Sequence, residues 1–234
     1  MQKFITLIIS FLMFFILCVS FIVAAEDVEI ALEAELASKI QKPMVIALPI
    51  DAKDAGGVET DEPSGGKYVW APGPPVTGGG GSGFMEFKVD IPQDDTYAIW
   101  GRVIAWDGNS DSFWVTWMPA DPEENPQQTD NVEFRWGVAG GGTWHWDRIN
   151  HWLDGGTFDR EWELEKGESI LKIWTREDAT MLDCLFITNN LAANEGGANV
   201  RLPEDDEREE QEGNIAVEPL EKISTTWGSI KNQY

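Results

Sequence analysis

The sequence predicts an all-β domain, a two-sheet antiparallel β-sandwich, on the strength of two observations. From Phe84 onwards, short runs rich in β-branched and aromatic residues recur at even spacing, with Gly, Pro, Asp and Asn between them. No stretch of this region keeps the 3.6-residue hydrophobic period of a long helix. Many short strands separated by turn signals are typical of a sandwich or a barrel.

The expected strands follow one another along the chain. A run rich in Val and Ile at 43–50 and a short run at 67–71 precede a loop of Pro and Gly at 72–83. Beyond that loop, the predicted strands are 84–90, 96–106, 112–118, 131–138, 143–149, 157–164, 169–175 and 182–188. We expect the sandwich domain to occupy residues 26–192.

The first 25 residues have the pattern of a signal peptide. Lys3 is the only charged residue before Glu26, the stretch between them is apolar, and small residues at 23–25 fit a cleavage site. The alternative is an uncleaved membrane anchor, because the apolar run is long enough to span a bilayer. The small-residue site favours cleavage, which predicts a secreted, extracellular or cell-surface protein.

Two further segments follow the sandwich. We interpret 193–218 as an acidic linker, since Glu204–Glu212 holds seven acids and one basic residue, Arg208, and packed like charges are normally solvated. Residues 219–234 are apolar, aromatic and mildly basic. They are either a sorting or docking segment or a loosely packed end.

Charge and cysteine content exclude several classes of partner. The formal net charge of −24 repels phosphate backbones and anionic lipid headgroups, so nucleic acid is excluded as a partner. Metal cations and neutral or cationic sugars remain open. After cleavage Cys184 is the only cysteine, so no internal disulfide can form and a buried, inert thiol is expected.

Tryptophan is the main candidate for ligand recognition. Ten of the twelve tryptophans lie between Trp100 and Trp174. Each buried indole needs a partner for its N–H group, which makes it difficult to enclose so many in a core. Strand alternation puts Trp114 on the face opposite Phe113, and puts Trp144 and Trp146 on one shared face. We therefore expect at least one exposed aromatic platform, of the kind that stacks on sugars.

Polar loops flank these tryptophans. Asp107, Asn109 and Asp111 follow Trp106, and an Arg-Glu-Asp sequence begins at Arg176. Loops at one end of a sandwich are the usual place for recognition, although Asp and Asn are also common in plain turns. Catalysis has little support, because the sequence has no nucleophile elbow, phosphate loop or metal-binding pair of histidines.

Glu33 and Glu35 are two residues apart, so in a strand they would share a side. Two such carboxylates repel unless a hard cation such as Ca²⁺ joins them. From spacing alone, an exposed pair without a metal is the simpler interpretation.

An ordered series of short motifs resembles carbohydrate-binding modules of families 6 and 35, which are galactose-binding-like jelly rolls. The motifs lie at 32–35, 95–103, 111–115, 144–146, 167–173, 176–178 and 182–188. The resemblance covers roughly residues 30–190, and its departures are the loop at 72–83 and an insertion at 119–131.

The resemblance implies two sites. By analogy with the family, Glu33, Glu35 and Asp183 would bind a structural calcium together with backbone carbonyls. The positions that match sugar-binding residues are Trp106, Asp111, Trp136, Trp144, Trp146 and Arg176. The sequence thus predicts a non-catalytic module that binds a polysaccharide or other glycan. The alternative is a cell-surface structural or adhesion domain without a sugar ligand. The oligomeric state stays open.

Overall fold

Two antiparallel sheets face each other and enclose the hydrophobic core. The computed structural model describes residues 27–53, 59–73, 82–193 and 200–216, and the structural statements below concern these ranges. The predicted class, a two-sheet antiparallel β-sandwich, is confirmed.

The described ranges contain fourteen strands, which we number in chain order. They are β1 Glu29–Glu33, β2 Lys39–Gln41, β3 Val45–Ala47, β4 Tyr68–Trp70, β5 Phe84–Ile91, β6 Asp95–Ala105, β7 Ser112–Met118, β8 Arg135–Gly137, β9 Gly141–Arg148, β10 Asn150–Leu153, β11 Gly156–Asp159, β12 Trp162–Leu164, β13 Gly167–Thr175 and β14 Met181–Thr188.

One sheet has seven strands and the other has five. The first runs β12-β6-β14-β4-β3, with β1 also paired to β14 and β9 also paired to β6. The second runs β2-β5-β13-β7-β8, and β10 and β11 form a separate hairpin. The hairpin lies against β8 at the edge of the five-stranded sheet.

Helical elements are short, with one exception. Four 3₁₀ turns occupy Ala34–Leu36, Pro49–Ala52, Ser64–Gly66 and Val132–Phe134. Helix α1 spans Pro126–Thr129, and helix α2 spans Asp205–Ala216. No helix within the described ranges is both long and apolar enough to cross a bilayer.

The core lies between the sheets and follows the two-residue alternation of the strands. Ile99 and Val103 of β6 point inward from the seven-stranded sheet, and Val115 and Ile173 point inward from the five-stranded sheet. Removing such side chains from water contributes about 25 cal/mol per Å² of apolar surface. The alternation that predicted the strands is therefore the same feature that builds the core.

The loops that carry the predicted polar residues meet at one end of the sandwich. Because neighbouring strands are antiparallel, β6, β8 and β13 end where β7, β9 and β14 begin. Three hydrogen bonds tie the loops together: Val138 N to Asp111 O at 2.7 Å, Asp111 N to Glu177 Oε2 at 3.0 Å, and Ala179 N to Ala71 O at 2.9 Å.

Several strand predictions differ from the structure in detail. The run at 43–50 forms a strand only at Val45–Ala47, because Pro49 begins a 3₁₀ turn. The run at 157–164 divides into β11 and β12, which belong to different sheets. The short strands β1, β2 and β10 were not predicted.

The predicted solvated linker contains a docked helix. Helix α2 packs against β1, because Glu207 and Gln211 form hydrogen bonds with the backbone of that strand. The signal peptide predicted at 1–25 and the tail predicted at 219–234 lie outside the described residues.

Candidate ligand pocket and candidate metal centre

A pocket of about 290 Å³ opens beside the loop end of the sandwich. The pocket is lined by Asp111, Asp147, Asn150, Trp152 and Thr157, together with residues 137–139. The lining therefore combines one indole, two carboxyl groups, an amide and a hydroxyl group. None of the described residues that line the pocket is basic.

Trp152 is held in place by the strand beneath it. It lies in β10, where it pairs with Thr157 across the hairpin. A Cβ atom built on Gly137 would lie 3.1 Å from two atoms of the indole ring, so a side chain at this position would push the indole away by a few tenths of an ångström. The guanidinium carbon of Arg135 lies 4.2 Å from the ring centre, and that of Arg176 lies 5.3 Å away. The ring is partly buried and supported by two cation–π contacts.

Asp111 shares its end of the pocket with a second acid. Glu177 Oε2 accepts from Ser112 Oγ at 2.6 Å, and Glu177 Oε1 accepts from Arg176 Nη1 at 2.6 Å. No described N–H or hydroxyl group donates to the Asp111 carboxyl group, whose hydrogen-bonding neighbour is Glu177. Burial, with the Glu177 charge as the next cause, raises the pKa of Asp111 to about 6.

The remaining polar wall is fixed by internal hydrogen bonds. The Asn150 side chain donates to Gly137 O at 2.8 Å and accepts from Gly137 N at 3.2 Å. Asp147 accepts from Trp136 Nε1 at 2.9 Å and from Ala139 N at 2.7 Å. These groups are in place before any ligand arrives, which lowers the entropic cost of binding.

Two of the six residues predicted to bind sugar lie at this pocket. Asp111 lines it, and Arg176 supports Trp152 and Glu177 from one side. Trp136 does not reach a surface, because its side chain is 0% exposed, packs 5.5 Å from Phe113 and donates its N–H to Asp147. The structure thus corrects the expectation for Trp136, which is a core residue.

The other three predicted residues lie elsewhere, away from the pocket. Trp144 packs 5.6 Å from Tyr68 and donates its N–H to Asp61 O at 2.9 Å. Trp106 belongs to the same cluster, and its buried N–H has no hydrogen-bond partner among the described residues. Trp146 packs against a separate cluster that contains Trp100.

Sequence reasoning missed Trp152, Asp147 and Asn150, which all line the pocket. An Asp-Gly-Gly turn at 154–156 follows Asn150–Leu153 directly, and such a turn between short apolar runs is a hairpin signal. That signal predicts the hairpin. It does not reveal that the hairpin folds onto Gly137, which is a tertiary contact.

The candidate metal centre brings together two of the three acids predicted as calcium ligands: Glu33 and Asp183 lie with Cys184 within 4.8 Å of one another, and Glu35 lies beside them under Gly65. Glu33 ends β1, Glu35 lies in the 3₁₀ turn that follows, and Asp183 lies at a bulge in β14. Both Glu33 and Asp183 are 0% exposed. Glu33 Oε1 accepts from Ser64 Oγ and from Arg208 Nε, each at 2.6 Å. Asp183 Oδ2 accepts from Arg102.

The other oxygen of each carboxyl group is left without a partner. Glu33 Oε2, Glu35 Oε2 and Asp183 Oδ1 are buried and accept no hydrogen bond from the described residues. Burial, reinforced by the neighbouring acids, raises the pKa of Glu35 to about 8. Burial likewise raises the pKa of Asp183 to about 7, although Arg102 opposes the shift. Unpartnered buried carboxylate oxygens are costly unless a cation or protons neutralise them.

A glycine turn packs against the carboxyl groups of Glu33 and Glu35. Gly65 has a φ of +61°, and a Cβ atom at this position would lie 2.5 Å from Glu35 Oε1. Cys184 Sγ also lies in the cluster, but burial raises the pKa of this thiol well above its ordinary value. The donor set is therefore carboxylate oxygen, which suits a hard cation such as Ca²⁺ and not a thiolate-binding metal.

Comparisons with known proteins give only structural similarity. No protein-family model matches the sequence, and no curated protein matches it significantly. The fold is similar to a family 35 carbohydrate-binding module from Clostridium thermocellum, with 16% identity, a TM-score of 0.43, and coverage of 70% of this chain and 98% of that one.

Two further solved structures have comparable identities, TM-scores and coverage. A family 6 module of a marine laminarinase from Zobellia galactanivorans has 12% identity and a TM-score of 0.42, over 69% of this chain and 99% of that one. A family 35 module from Paenibacillus barcinonensis has 13% identity and a TM-score of 0.44, over 67% and 96%. The matches thus include both module families that the sequence resembles.

Proposed function

We propose that the chain is an exported, non-catalytic module that binds a glycan in the Trp152 pocket and holds a structural calcium at Glu33, Glu35 and Asp183. One observation carries the glycan proposal. The Trp152 indole, which packs against Gly137, lines the same open pocket as the Asp111 carboxyl group. No described residue donates a hydrogen bond to that carboxyl group.

The chemistry of this pocket fits a sugar ring. A pyranose has apolar C–H faces bordered by hydroxyl groups, so its binding site needs an aromatic surface next to hydrogen-bond acceptors. Trp152 supplies the aromatic surface, and the Asp111 carboxyl group, whose Oδ1 is buried, supplies its other oxygen as an acceptor for a hydroxyl group. A few placed polar groups in a mainly apolar pocket are usual for small-ligand sites.

The negative charge of the pocket and of the chain limits which glycans the pocket can bind. Asp111 and Asp147 are the ionisable residues among the pocket lining, and the whole chain carries a net charge of −24. A uronate or sulfated sugar would meet repulsion there, whereas a neutral or amine-bearing sugar would not. We therefore propose a neutral or weakly cationic glycan.

A glycan array tests the proposal. The wild-type protein should be retained on at least one neutral or amine-bearing glycan, and Trp152→Ala should lose most of that retention. Phe158→Ala is the matched control, because Phe158 lies on the same hairpin, is 54% exposed and does not line the pocket. Equal retention by Trp152→Ala and Phe158→Ala would contradict this site.

A blank array would favour the second candidate, a cell-surface structural or adhesion domain. In that case the sandwich is a scaffold without a sugar ligand. Pull-down on intact cell-wall preparations, with and without added competitor sugar, separates the two functions. Release by a free sugar supports glycan binding, whereas retention that no sugar displaces supports a structural role.

The calcium proposal rests on the three unpartnered oxygens in the buried acidic cluster. A ligand that binds only the folded state adds about 2.7 kcal/mol of stability at a hundredfold excess over its Kd. Melting should therefore occur at a lower temperature in a chelator than in calcium. No shift, together with no heat of calcium binding in titration calorimetry, would contradict a cation site.

A further inference from the structure

Helix α2 runs along the open edge of β1, whose other edge pairs with β14. Glu207 Oε1 accepts from Ala31 N at 3.3 Å, and Gln211 Oε1 accepts from Glu33 N at 2.9 Å. Residues two apart in a strand are separated by about 6.7 Å, and residues four apart in a helix rise by about 6 Å. The rise along one turn of helix thus matches the length of two strand residues. The side chains of Glu207 and Gln211 can therefore accept the backbone N–H groups of β1 that a neighbouring strand would otherwise bind.

Gln211 also spans the turn that carries both glutamates. Its Nε2 donates to Glu33 O and to Leu36 O, each at 3.0 Å. These carbonyls stand at the two ends of the segment that contains Glu33 and Glu35. A single neutral side chain therefore fixes this turn at three backbone atoms.

Arg208 orients the carboxyl group at the start of the same turn. Its Nε lies 2.6 Å from Glu33 Oε1, and its Nη2 donates to Ser64 Oγ at 3.0 Å. With Oε1 held by Arg208 and Ser64, Glu33 keeps Oε2 free of hydrogen bonds from the described residues. The helix thus determines which oxygen of Glu33 is left for a cation.

We propose that helix α2 is part of the cation site, with Gln211 and Arg208 as positioning residues that hold Glu33 and Glu35 in place. This inference rests on the proposed calcium site. Side chains that orient metal ligands usually change metal affinity by about ten- to a hundredfold when removed. The acidic segment, which composition alone assigns to solvent, acquires a role in binding a metal.

The test uses full-length variants and calcium as the probe. Gln211→Met keeps the length of the side chain and removes its three hydrogen bonds without changing charge. Glu207→Met is the control for helix docking, because it removes the bond to Ala31 N and the ion pair with Arg201 and leaves the hydrogen bonds of the turn in place. Arg208 is less informative, since it contacts Glu33 directly and its removal would leave the Glu33 carboxylate without its ion-pair partner.

Calcium affinity is measured by titration calorimetry well below the melting temperature, and melting is recorded in calcium and in chelator. Gln211→Met should bind calcium about tenfold or more weakly, with a smaller melting difference between the two conditions. Glu207→Met should melt lower in both conditions and keep the wild-type affinity.

Two results would overturn the inference while leaving the calcium site intact. One is a calcium affinity of Gln211→Met equal to that of the wild type. The other is an equal loss of calcium affinity in Gln211→Met and Glu207→Met, which would show that calcium affinity depends on helix docking alone. If the wild-type protein takes up no calcium, the calcium site and this inference fail together.

Discussion

Asp121 and Arg160 form an ion pair in which Arg160 Nη2 donates to both carboxylate oxygens of Asp121, at 2.7 Å and 2.8 Å. Asp121 also accepts from Trp117 N at 2.7 Å and from Trp162 Nε1 at 3.0 Å. The guanidinium group is buried, and its Nη1 donates to Val115 O at 2.7 Å. This cluster fastens the insertion at 119–131 to both sheets.

Removal of the Asp121 carboxylate should destabilise the domain strongly. Asp121→Ala leaves the Arg160 charge buried without its partner, which typically costs about 3–5 kcal/mol. Urea unfolding followed by tryptophan fluorescence measures the loss. Glu123→Ala, an exposed change in the same insertion, should alter stability by less than about 0.5 kcal/mol. A similar small loss in both variants would show that the pair is not structural.

Gly65→Ala should weaken the metal centre. The new Cβ would lie 2.5 Å from Glu35 Oε1, and the φ of +61° is unfavourable for alanine. We expect lower calcium affinity and a smaller melting shift on chelation. Gly66→Ala is the control, since its φ of +78° imposes similar strain but nothing lies within 4 Å of the added atom. Equal calcium affinities in the two variants would contradict the close approach to Glu35.

Asp111 should give the protein a measurable pH dependence. Burial and Glu177 raise its pKa from 3.8 to about 6, so the folded protein binds this proton more tightly than the unfolded chain does. The stabilisation from this proton is complete below about pH 4 and is lost as the pH rises through about 6.

Asp111→Asn removes this titration. Relative to wild type, the variant should gain melting temperature at about pH 7 and gain less at about pH 5. Asp90→Asn, an exposed change on β5 that does not contribute to the raised pKa of Asp111, should follow the wild-type profile. Parallel profiles for wild type and Asp111→Asn would rule out the raised pKa.

Replacement by phenylalanine should destabilise the domain more at Trp136 than at Trp146. Trp136→Phe removes a buried N–H that donates to Asp147, and a lost buried hydrogen bond costs about 1–3 kcal/mol. The Trp146 N–H forms no hydrogen bond with the described residues and its ring is partly exposed, so Trp146→Phe should cost less. Chemical denaturation of both variants measures the loss in the free energy of unfolding. A larger loss in Trp146→Phe than in Trp136→Phe would contradict the burial of Trp136.

The strands were the most predictable part of the fold. The prediction of 112–118 coincides with β7, the prediction for β6 differs by one residue at each end, and those for β13 and β14 differ only at the start, by two residues and one. β6, β7 and β14 lie inside their sheets and are buried on both faces over most of their length, so they form short continuous runs of apolar residues between turn signals. β1 and β2 lie at sheet edges, where the sequence carries less of this pattern.

The sites were less predictable because they depend on contacts between distant residues. The sequence does not show that Trp136 is enclosed or that Trp152 folds onto Gly137. Glu33 meets Asp183 only because β1 pairs with β14, and the family resemblance, not the spacing, predicted that meeting. In α2, acidic composition concealed Gln211, whose partners lie on β1 and the following turn.

A titration followed by two-dimensional nuclear magnetic resonance tests the glycan-binding proposal most directly. A glycan retained on the array is added to labelled protein while the indole N–H signals are recorded. The Trp152 indole signal and the Asp111 backbone signal should move with a common Kd, while the Trp146 indole signal stays in place. Shifts centred on Trp106 and Trp144, with Trp152 unchanged, would contradict the proposed pocket.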